Sequence, residues 1–275
     1  MTDKPADEKS LVTVAVSDGV AEVTLNRATR RNALSRALIS QLTVAVTNVA
    51  AAASTRLVVL SANGPVFCAG MDLGEMQNRA QQPNARTEWE RDATDYRDLV
   101  AAIWRLDVPT VAVVQGPAIA GGFGLVLACD LVLASTAARF ALPEPRRGIS
   151  PAVVSPLLVY RMGAGPAMPI LLAGTTLTGE EAYRMGLCHV LVAPENLETS
   201  RHELTTSILT GAPGALATTK RLVRSFAEET LLAQLEAGRK VSAEARNTAE
   251  AREGLAAFLE KREPNWNPQM RTRAV

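Results

Sequence analysis

The sequence predicts an α/β domain followed by a helical region, and three observations support this. Apolar, β-branched runs such as Val20–Leu25 and Leu57–Leu60 alternate with stretches whose apolar residues recur at helical spacing. Two of the strand-like runs end in loops of small residues. After Ala193-Pro194, every periodic stretch is helical in pattern. We therefore divide the chain into an α/β core, residues 1–194, and a C-terminal helical region, residues 195–275.

The chain begins with a predicted β-hairpin, in which Leu11–Val16 and Val20–Leu25 flank Ser17-Asp18-Gly19. Ser35 is the predicted N-cap of the next helix, because apolar residues recur at helical spacing after it. Leu57–Leu60 follows as a buried strand, since all four residues are apolar. Strand and helix thus alternate from the start, as in an α/β fold.

The middle of the chain continues this alternation. Leu73 and Met76 predict at most a short helical turn, and residues 77–84 are a predicted surface loop, with a mobile lid as the alternative. One apolar face predicts a helix from Arg86 to Leu106. Asn247, followed by Glu250, resembles a capping box. The other predicted elements are a strand at Leu131–Ala134, short helices at Val153–Met162, Ala167–Ala173 and Gly179–Met185, a late edge strand at 186–192, and helices at Glu195–Thr210, Gly214–Phe226, Leu231–Arg246 and Ala249–Lys261.

Composition narrows the class of ligand. The formal net charge is only +1 over 275 residues, without a charged block at either end, so we expect neither a nucleic acid nor a membrane surface as partner. The three cysteines lie in apolar surroundings, and we interpret them as reduced packing residues. No Cys-x-x-Cys or His-Glu-x-x-His motif occurs, so no metal is expected. The polar first ten residues predict no signal peptide or anchor, which favours a cytoplasmic protein.

Two small-residue loops and one glutamate are the candidate site. The loops 67–73 and 115–122 both follow strands, and ligands of α/β sheets collect beyond the carboxyl ends of strands. Gly121 and Gly122 begin a helix, where backbone N–H groups are free to bind an anionic oxygen; close packing of the helix is the alternative explanation. Glu144 lies between two prolines that fix its backbone, although it could also be an ordinary turn residue.

Four motifs together resemble the enoyl-CoA hydratase/isomerase, or crotonase, superfamily over nearly the whole chain. They are Phe67–Leu73, Gln115–Asp130, Phe140–Glu144 and Ala257–Arg262. The resemblance implies a spiral of strand-strand-helix turns with a C-terminal helical trimerisation region, hence a homotrimer or a dimer of trimers. It also implies an acyl-CoA thioester as the substrate, with no cofactor beyond the coenzyme A that the substrate carries.

The resemblance also assigns catalytic roles. It places the backbone N–H groups of Met71 and Gly121 around the thioester oxygen, where they would stabilise an enolate. Glu144 matches one of the two glutamates that family hydratases use around a water molecule, but the other position is Gly124. Three hypotheses follow: a hydratase with one clear acid/base glutamate, an isomerase that needs no water, and a non-catalytic acyl-CoA-binding protein. A scaffold without a site would leave both glycine loops unexplained.

A finer resemblance concerns the acyl group. The segments that start at Gly124 and Arg147 are similar to bacterial methylglutaconyl-CoA and isohexenylglutaconyl-CoA hydratases, which act on branched substrates with a second carboxylate. Arg146 or Arg147 could pair with that carboxylate, although a solvated arginine is the alternative for each. The remaining substrate-binding residues that the resemblance implies, with coenzyme A phosphates near the basic ones, are Arg27, Arg30, Arg31, Ala69, Asp72, Gly122, Gly124 and Lys261.

Overall fold

The computed structural model describes residues 10–267. Within these residues, nine strands lie in two sheets. In chain order they are β1 (Val12–Ser17), β2 (Val20–Leu25), β3 (Leu57–Ala62), β4 (Thr110–Val114), β5 (Ala118–Ile119), β6 (Leu131–Ser135), β7 (Arg139–Ala141), β8 (Leu177–Thr178) and β9 (Val190–Val192).

Helices connect and cover the strands. The α-helices are α1 (Arg36–Ala51), α2 (Leu73–Ala80), α3 (Ala85–Arg105), α4 (Gly121–Ala128), α5 (Ser155–Met162), α6 (Ala164–Ala173), α7 (Gly179–Arg184), α8 (Leu197–Leu209), α9 (Pro213–Ser225), α10 (Glu228–Ala245) and α11 (Ala249–Leu259). Short 3-10 helices add Ala28–Arg30, Glu144–Arg147 and Pro194–Asn196.

The larger sheet has the strand order β1-β2-β3-β4-β6-β9. The predicted hairpin is confirmed, with Val14 opposite Val23 in an antiparallel pair, and every later pair in this sheet is parallel. All five residues of β4 are buried, as expected for a central parallel strand. Because β3, β4 and β6 are parallel, their carboxyl ends lie at one edge of the sheet, and the loop after β3 meets the loop after β4 there.

A second, three-stranded sheet has the order β5-β7-β8. The sequence pattern did not predict it, because its strands are only two or three residues long and give no readable alternation. Ala118 pairs with Phe140 and Ile119 with Ala141, in parallel. This pairing ties the glycine loop to the segment that leads into Glu144.

Helix ends show where local sequence signals succeeded. Ser35 caps α1, accepting a hydrogen bond from the N–H of Leu38, as predicted. Residues 73–80 form a full helix and not the short turn we expected, because the Asp72 carboxylate accepts bonds from two N–H groups at the helix start. The N-cap of α11 is Thr248, so the predicted capping box that starts at Asn247 is wrong.

The C-terminal helices pack against the α/β core. α8 covers one face of the larger sheet, with Leu204 and Ile208 against Val59, Val111 and their neighbours. α10 lies along α3, and α11 lies on the 3-10 helix that contains Glu144. Gly254 permits the second contact, since a Cβ there would lie 2.2 Å from the carbonyl oxygen of Arg147. The boundary at residue 195 stays a prediction.

Candidate active site

The two glycine loops lie side by side, as predicted. Cys68 forms a parallel bridge with Ala118, in which the N–H of Cys68 donates to Pro117 O at 3.1 Å and that of Ile119 to Cys68 O at 2.9 Å. Gly70 has a φ of +86°, and a Cβ there would lie 2.7 Å from the Cβ of Ala120. Only glycine fits this backbone and this spacing.

Two backbone N–H groups remain free where the loops meet. Leu34 donates to Gly70 O at 2.8 Å and accepts from the N–H of Asp72 at 3.0 Å, so this parallel bridge leaves the N–H of Met71 unused. Gly121 is the first residue of α4, and its N–H has no acceptor within the helix. Among residues 10–267, neither N–H has a backbone or side-chain acceptor. Both residues line the same cavity, as the oxyanion hypothesis requires.

Glu144 faces this cavity at the start of its 3-10 helix. The residue is only 8% exposed, and its Oε2 is buried with no hydrogen-bond partner among the described residues. Burial raises the pKa of Glu144 to about 7, and the charges of Arg147 and Arg246 only partly oppose this rise. A carboxyl group in this state can both accept and donate a proton near neutral pH.

The cavity is mainly apolar, with a few polar groups that converge on its centre. It lies between the two loops, α3, the 144–154 segment and α10. Its lining residues are Met71, Leu73, Met76, Tyr96, Ala120, Gly121, Glu144, Arg147, Ile149, Ser150, Pro151, Ala152, Val153, Val154, Ser242 and Arg246. Such a mixture is typical of small-molecule sites.

Tyr96 occupies the space beside Gly124. Its phenol donates to Gly121 O at 2.6 Å, and a Cβ at Gly124 would lie 2.1 Å from the Tyr96 hydroxyl oxygen. Burial, with smaller contributions from the charges of Cys68 and Glu144, raises the pKa of Tyr96 well above its usual value, so the phenol stays neutral. A glutamate side chain cannot occupy position 124 beside this tyrosine.

This contact predicts that Gly124→Ala destabilises the protein by about 1–3 kcal/mol, because the methyl group overlaps the Tyr96 hydroxyl. In a Tyr96→Phe background the cost should fall by at least about 0.5 kcal/mol. Urea unfolding of the two single variants and the double variant measures this coupling. Gly165→Ala is the control, since no atom lies within 4 Å of a Cβ there. Equal tolerance of alanine at both glycines would contradict the overlap.

Gly122 is a packing position in this structure. A Cβ there would lie 2.5 Å from Cys68 O and 2.8 Å from its Sγ. Burial raises the pKa of the Cys68 thiol to about 12, so this thiol stays protonated, and it donates to the carbonyl oxygen of Asn32 at 3.1 Å. Gly122 does not line the cavity that Gly121 lines. These distances favour the alternative explanation, close packing of the helix, for Gly122, and its substrate-binding role stays a prediction.

The predicted coenzyme A residues divide into two groups. Arg27 and Asp72 pair with each other at 2.7 Å, so neither is a free charge. Burial alone would raise the pKa of the Asp72 carboxyl group. Arg27 and the two hydrogen bonds from the start of α2 outweigh this effect, and the pKa is lowered. By contrast, Arg30 and Arg31 are exposed and make no ion pair within residues 10–267. Ala69 donates its N–H to Arg31 O at 3.0 Å, which joins this basic loop to the oxyanion loop. Lys261 is exposed after α11, and its role stays a prediction.

Two arginines reach the cavity, and the sequence indicated only one of them. Arg146 points elsewhere, donating to Ala173 O at 2.8 Å, whereas Arg147 lines the cavity and stacks 4.2 Å from the Phe258 ring centroid. Arg246 comes from the end of α10 and lies 5.7 Å from the Trp89 ring centroid. Its place in the site could not be read from a helical pattern about 100 residues after Glu144.

One nitrogen of the Arg246 guanidinium has no hydrogen-bond partner within residues 10–267. Its Nη1 is buried without a hydrogen bond among the described residues. The nearby carboxylate of Asp92 is already taken, because Arg36 and Arg79 each donate to it at 2.6 Å. Burial lowers the pKa of Arg246, although its ordinary value is so high that the group stays charged. A buried cation without a partner favours an anionic ligand group.

Two free N–H donors and one buried carboxyl group around one cavity form an arrangement that can bind an oxyanion and transfer a proton. A family model described as enoyl-CoA hydratase/isomerase matches residues 15–269. The chain belongs to this family and is an enzyme of it.

Individual relatives support the same conclusion. The 2,3-dehydroadipyl-CoA hydratase of Escherichia coli is 33% identical over 89% of this chain and 93% of that protein. The 1,2-epoxyphenylacetyl-CoA isomerase of the same organism is 30% identical over 91% and 96%. A crystal structure of an enoyl-CoA hydratase from Mycobacterium avium has a TM-score of 0.84 and 35% identity, covering 94% of this chain and all of that one. The crotonase-like α/β fold is confirmed, while the methylglutaconyl-CoA-like subgroup stays a prediction.

Proposed function

We propose that this enzyme is an enoyl-CoA hydratase, which adds water across the 2,3 double bond of an acyl-CoA thioester. One observation carries the proposal: Glu144, with an unpartnered buried oxygen, faces the same cavity as the free N–H groups of Met71 and Gly121. A hydratase needs a base for water and donors for the enolate oxygen, and these residues provide both.

The steps follow from these groups. With the thioester oxygen between the two N–H groups, Glu144 removes a proton from water as the water oxygen bonds to C3. The electron pair of the double bond moves to the thioester oxygen, and the N–H donors stabilise the resulting enolate. Protonated Glu144 then returns the proton to C2, which gives the 3-hydroxyacyl-CoA and regenerates the carboxylate. Losing one such N–H donor typically costs about 3–4 kcal/mol of barrier.

We further propose that the acyl group carries a second carboxylate. Arg147 and Arg246 line the cavity together with Glu144, so two guanidinium groups face one carboxylate. A distal carboxylate on the substrate would give the unpartnered Nη1 of Arg246 an acceptor. The E. coli relative named as a 2,3-dehydroadipyl-CoA hydratase, whose name denotes a dicarboxylic acyl group, supports the same substrate class.

The coenzyme A part of the substrate is assigned to the exposed basic loop. Arg30 and Arg31 are free to meet phosphates, while Lys261 is proposed to do so from a neighbouring subunit. A homotrimer or a dimer of trimers is supported by the exposed apolar side chains of the helical region, of which Phe226 is 79% exposed. Within residues 10–267, none of the helices has the length and apolar character that crossing a membrane requires. A cytoplasmic location and the lack of a metal or separate cofactor stay part of the proposal.

The test compares two substrates that differ only at their far end, pent-2-enoyl-CoA and glutaconyl-CoA. We expect the enzyme to hydrate both substrates, which is measured as loss of enoyl absorbance. The kcat/KM for the dicarboxylic substrate should be at least about tenfold higher. 3-Methylglutaconyl-CoA then tests for branching. Double-bond migration without hydration would replace the proposal with the isomerase hypothesis, which a single glutamate also permits. Binding of acyl-CoA without either reaction would leave the non-catalytic hypothesis for these substrates.

A further inference from the structure

We propose that the Tyr96 hydroxyl holds the attacking water, in the place where Gly124 leaves the site without a second carboxylate. This inference rests on the proposed hydratase function and concerns the same cavity. It follows from the position of one phenol relative to Gly121, Gly124 and Glu144.

The Tyr96 hydroxyl fills the space beside Gly124. Because a Cβ at Gly124 would lie 2.1 Å from the Tyr96 hydroxyl oxygen, the phenol occupies the volume where a side chain from position 124 would begin. Tyr96 comes from α3 on the opposite side of this volume, and it lines the cavity together with Glu144. Gly124 has no side chain, and Tyr96 therefore fills the space that a side chain at this position would occupy.

The Tyr96 hydroxyl can accept hydrogen bonds as well as donate one. The Tyr96 hydroxyl has one proton, and it donates that proton to Gly121 O at 2.6 Å. Its oxygen lone pairs remain available as acceptors. A water molecule can donate one hydrogen to Tyr96 and the other to the unpartnered Oε2 of Glu144. Held at both hydrogens, the water would present its oxygen lone pair to C3 of the substrate.

Glu144, and not Tyr96, takes the proton from this water. A phenol that stays neutral is a weak base, so Tyr96 orients the water but does not deprotonate it. The proton goes to Glu144, whose pKa of about 7 suits this transfer. Tyr96 thus completes the water site and leaves the proton transfer to the one glutamate.

The competing explanation is that Tyr96 only supports the oxyanion loop through its bond to Gly121 O. The two roles differ in one measurable respect. Exchange of the C2 proton of a saturated acyl-CoA with solvent deuterium needs Glu144 and the oxyanion donors, but no bound water nucleophile. Hydration needs all three. A water site is therefore tested by the ratio of the two rates.

The experiment uses Tyr96→Phe in the full-length protein. The rate of hydration of glutaconyl-CoA and crotonyl-CoA is compared with the rate of deuterium exchange into glutaryl-CoA and butyryl-CoA. Mass spectrometry measures the exchange. We expect kcat for hydration to fall about 10- to 100-fold, because the water is no longer oriented, while the exchange rate changes less than about threefold. Tyr183→Phe, at an exposed tyrosine of α7, is the matched control and should change neither rate.

Glu144→Gln separates this inference from the function on which it rests. If that variant loses both reactions, the acid/base assignment stands, and the behaviour of Tyr96→Phe decides the water site. Parallel loss of hydration and exchange in Tyr96→Phe would assign Tyr96 to loop support alone and overturn the inference. Unchanged hydration in Tyr96→Phe, or a wild-type enzyme that exchanges protons but hydrates none of these substrates, would overturn it as well.

Discussion

Glu144→Gln is expected to lower kcat for hydration about 100- to 10,000-fold while binding of saturated acyl-CoA stays within a few-fold of wild type. The carboxamide keeps the shape of the side chain but can neither accept the water proton nor return it to C2. Stopped-flow measurement of hydration and calorimetric titration with glutaryl-CoA would separate the two effects. Glu195→Gln, at an exposed glutamate, is the matched control. Substantial residual hydration would move the base to another residue.

The pH profile of the wild-type enzyme provides an independent check. The water-activating form of Glu144 is the carboxylate, and burial raises the pKa of this group to about 7. We therefore expect kcat/KM for hydration to rise with pH through about 7 and to level off above it. Under the same conditions, an ordinary exposed glutamate would already be ionised and would give a flat profile.

The free energy of unfolding should fall as pH rises, whereas activity rises. Misfolding therefore cannot explain the lower activity at low pH. The pKa of Glu144 is raised from 4.5 to about 7 on folding, so its stabilising contribution is present below the unfolded value and is lost as pH rises through about 7. The loss is on the order of 3 kcal/mol. Glu144→Gln does not titrate, and the variant should lose less stability than wild type between pH 5 and pH 8. Urea unfolding at both pH values measures this difference.

Local signals explain which parts of the site could be predicted. Gly70 lies in a conformation that requires glycine, and Glu144 lies between two prolines, so each has a signature within a few residues. The two loops meet because parallel strands bring their carboxyl ends to one edge, a rule that needs only the strand order. The hairpin and the Ser35 cap likewise depend on residues close together in sequence.

The parts that were missed depend on contacts between distant segments. Tyr96 belongs to the apolar face of α3, and periodicity cannot distinguish a tyrosine that packs from one that reaches a cavity. Arg246 lies at the end of α10, and only the packing of α10 on α3 brings it near Glu144. The Arg27–Asp72 ion pair is likewise a contact between distant segments, and the ligand role assigned to both residues stays a prediction. Contacts between side chains that are distant in sequence cannot be read from the pattern of neighbouring residues.

Arg246→Met is expected to lower kcat/KM for glutaconyl-CoA by about 30- to 4,000-fold, because removing one member of a buried charge pair costs about 2–5 kcal/mol. For pent-2-enoyl-CoA, which has no distal carboxylate, the change should stay within about threefold. Methionine keeps the length of the apolar stem, so the contact with Trp89 is largely retained. Steady-state kinetics with this matched substrate pair measures the discrimination.

The free protein provides the control for structure. Burial of Arg246 outweighs the favourable charges of Asp92 and Glu144, and its buried Nη1 makes no hydrogen bond, so replacement by an apolar side chain should not destabilise the enzyme. Arg146→Met is the matched variant, since Arg146 donates to Ala173 O outside the cavity, and it should leave the substrate preference unchanged. Equal losses for both substrates in Arg246→Met would show that this guanidinium acts through the charge of Glu144 and not on the acyl group, and the dicarboxylic substrate class would then be withdrawn.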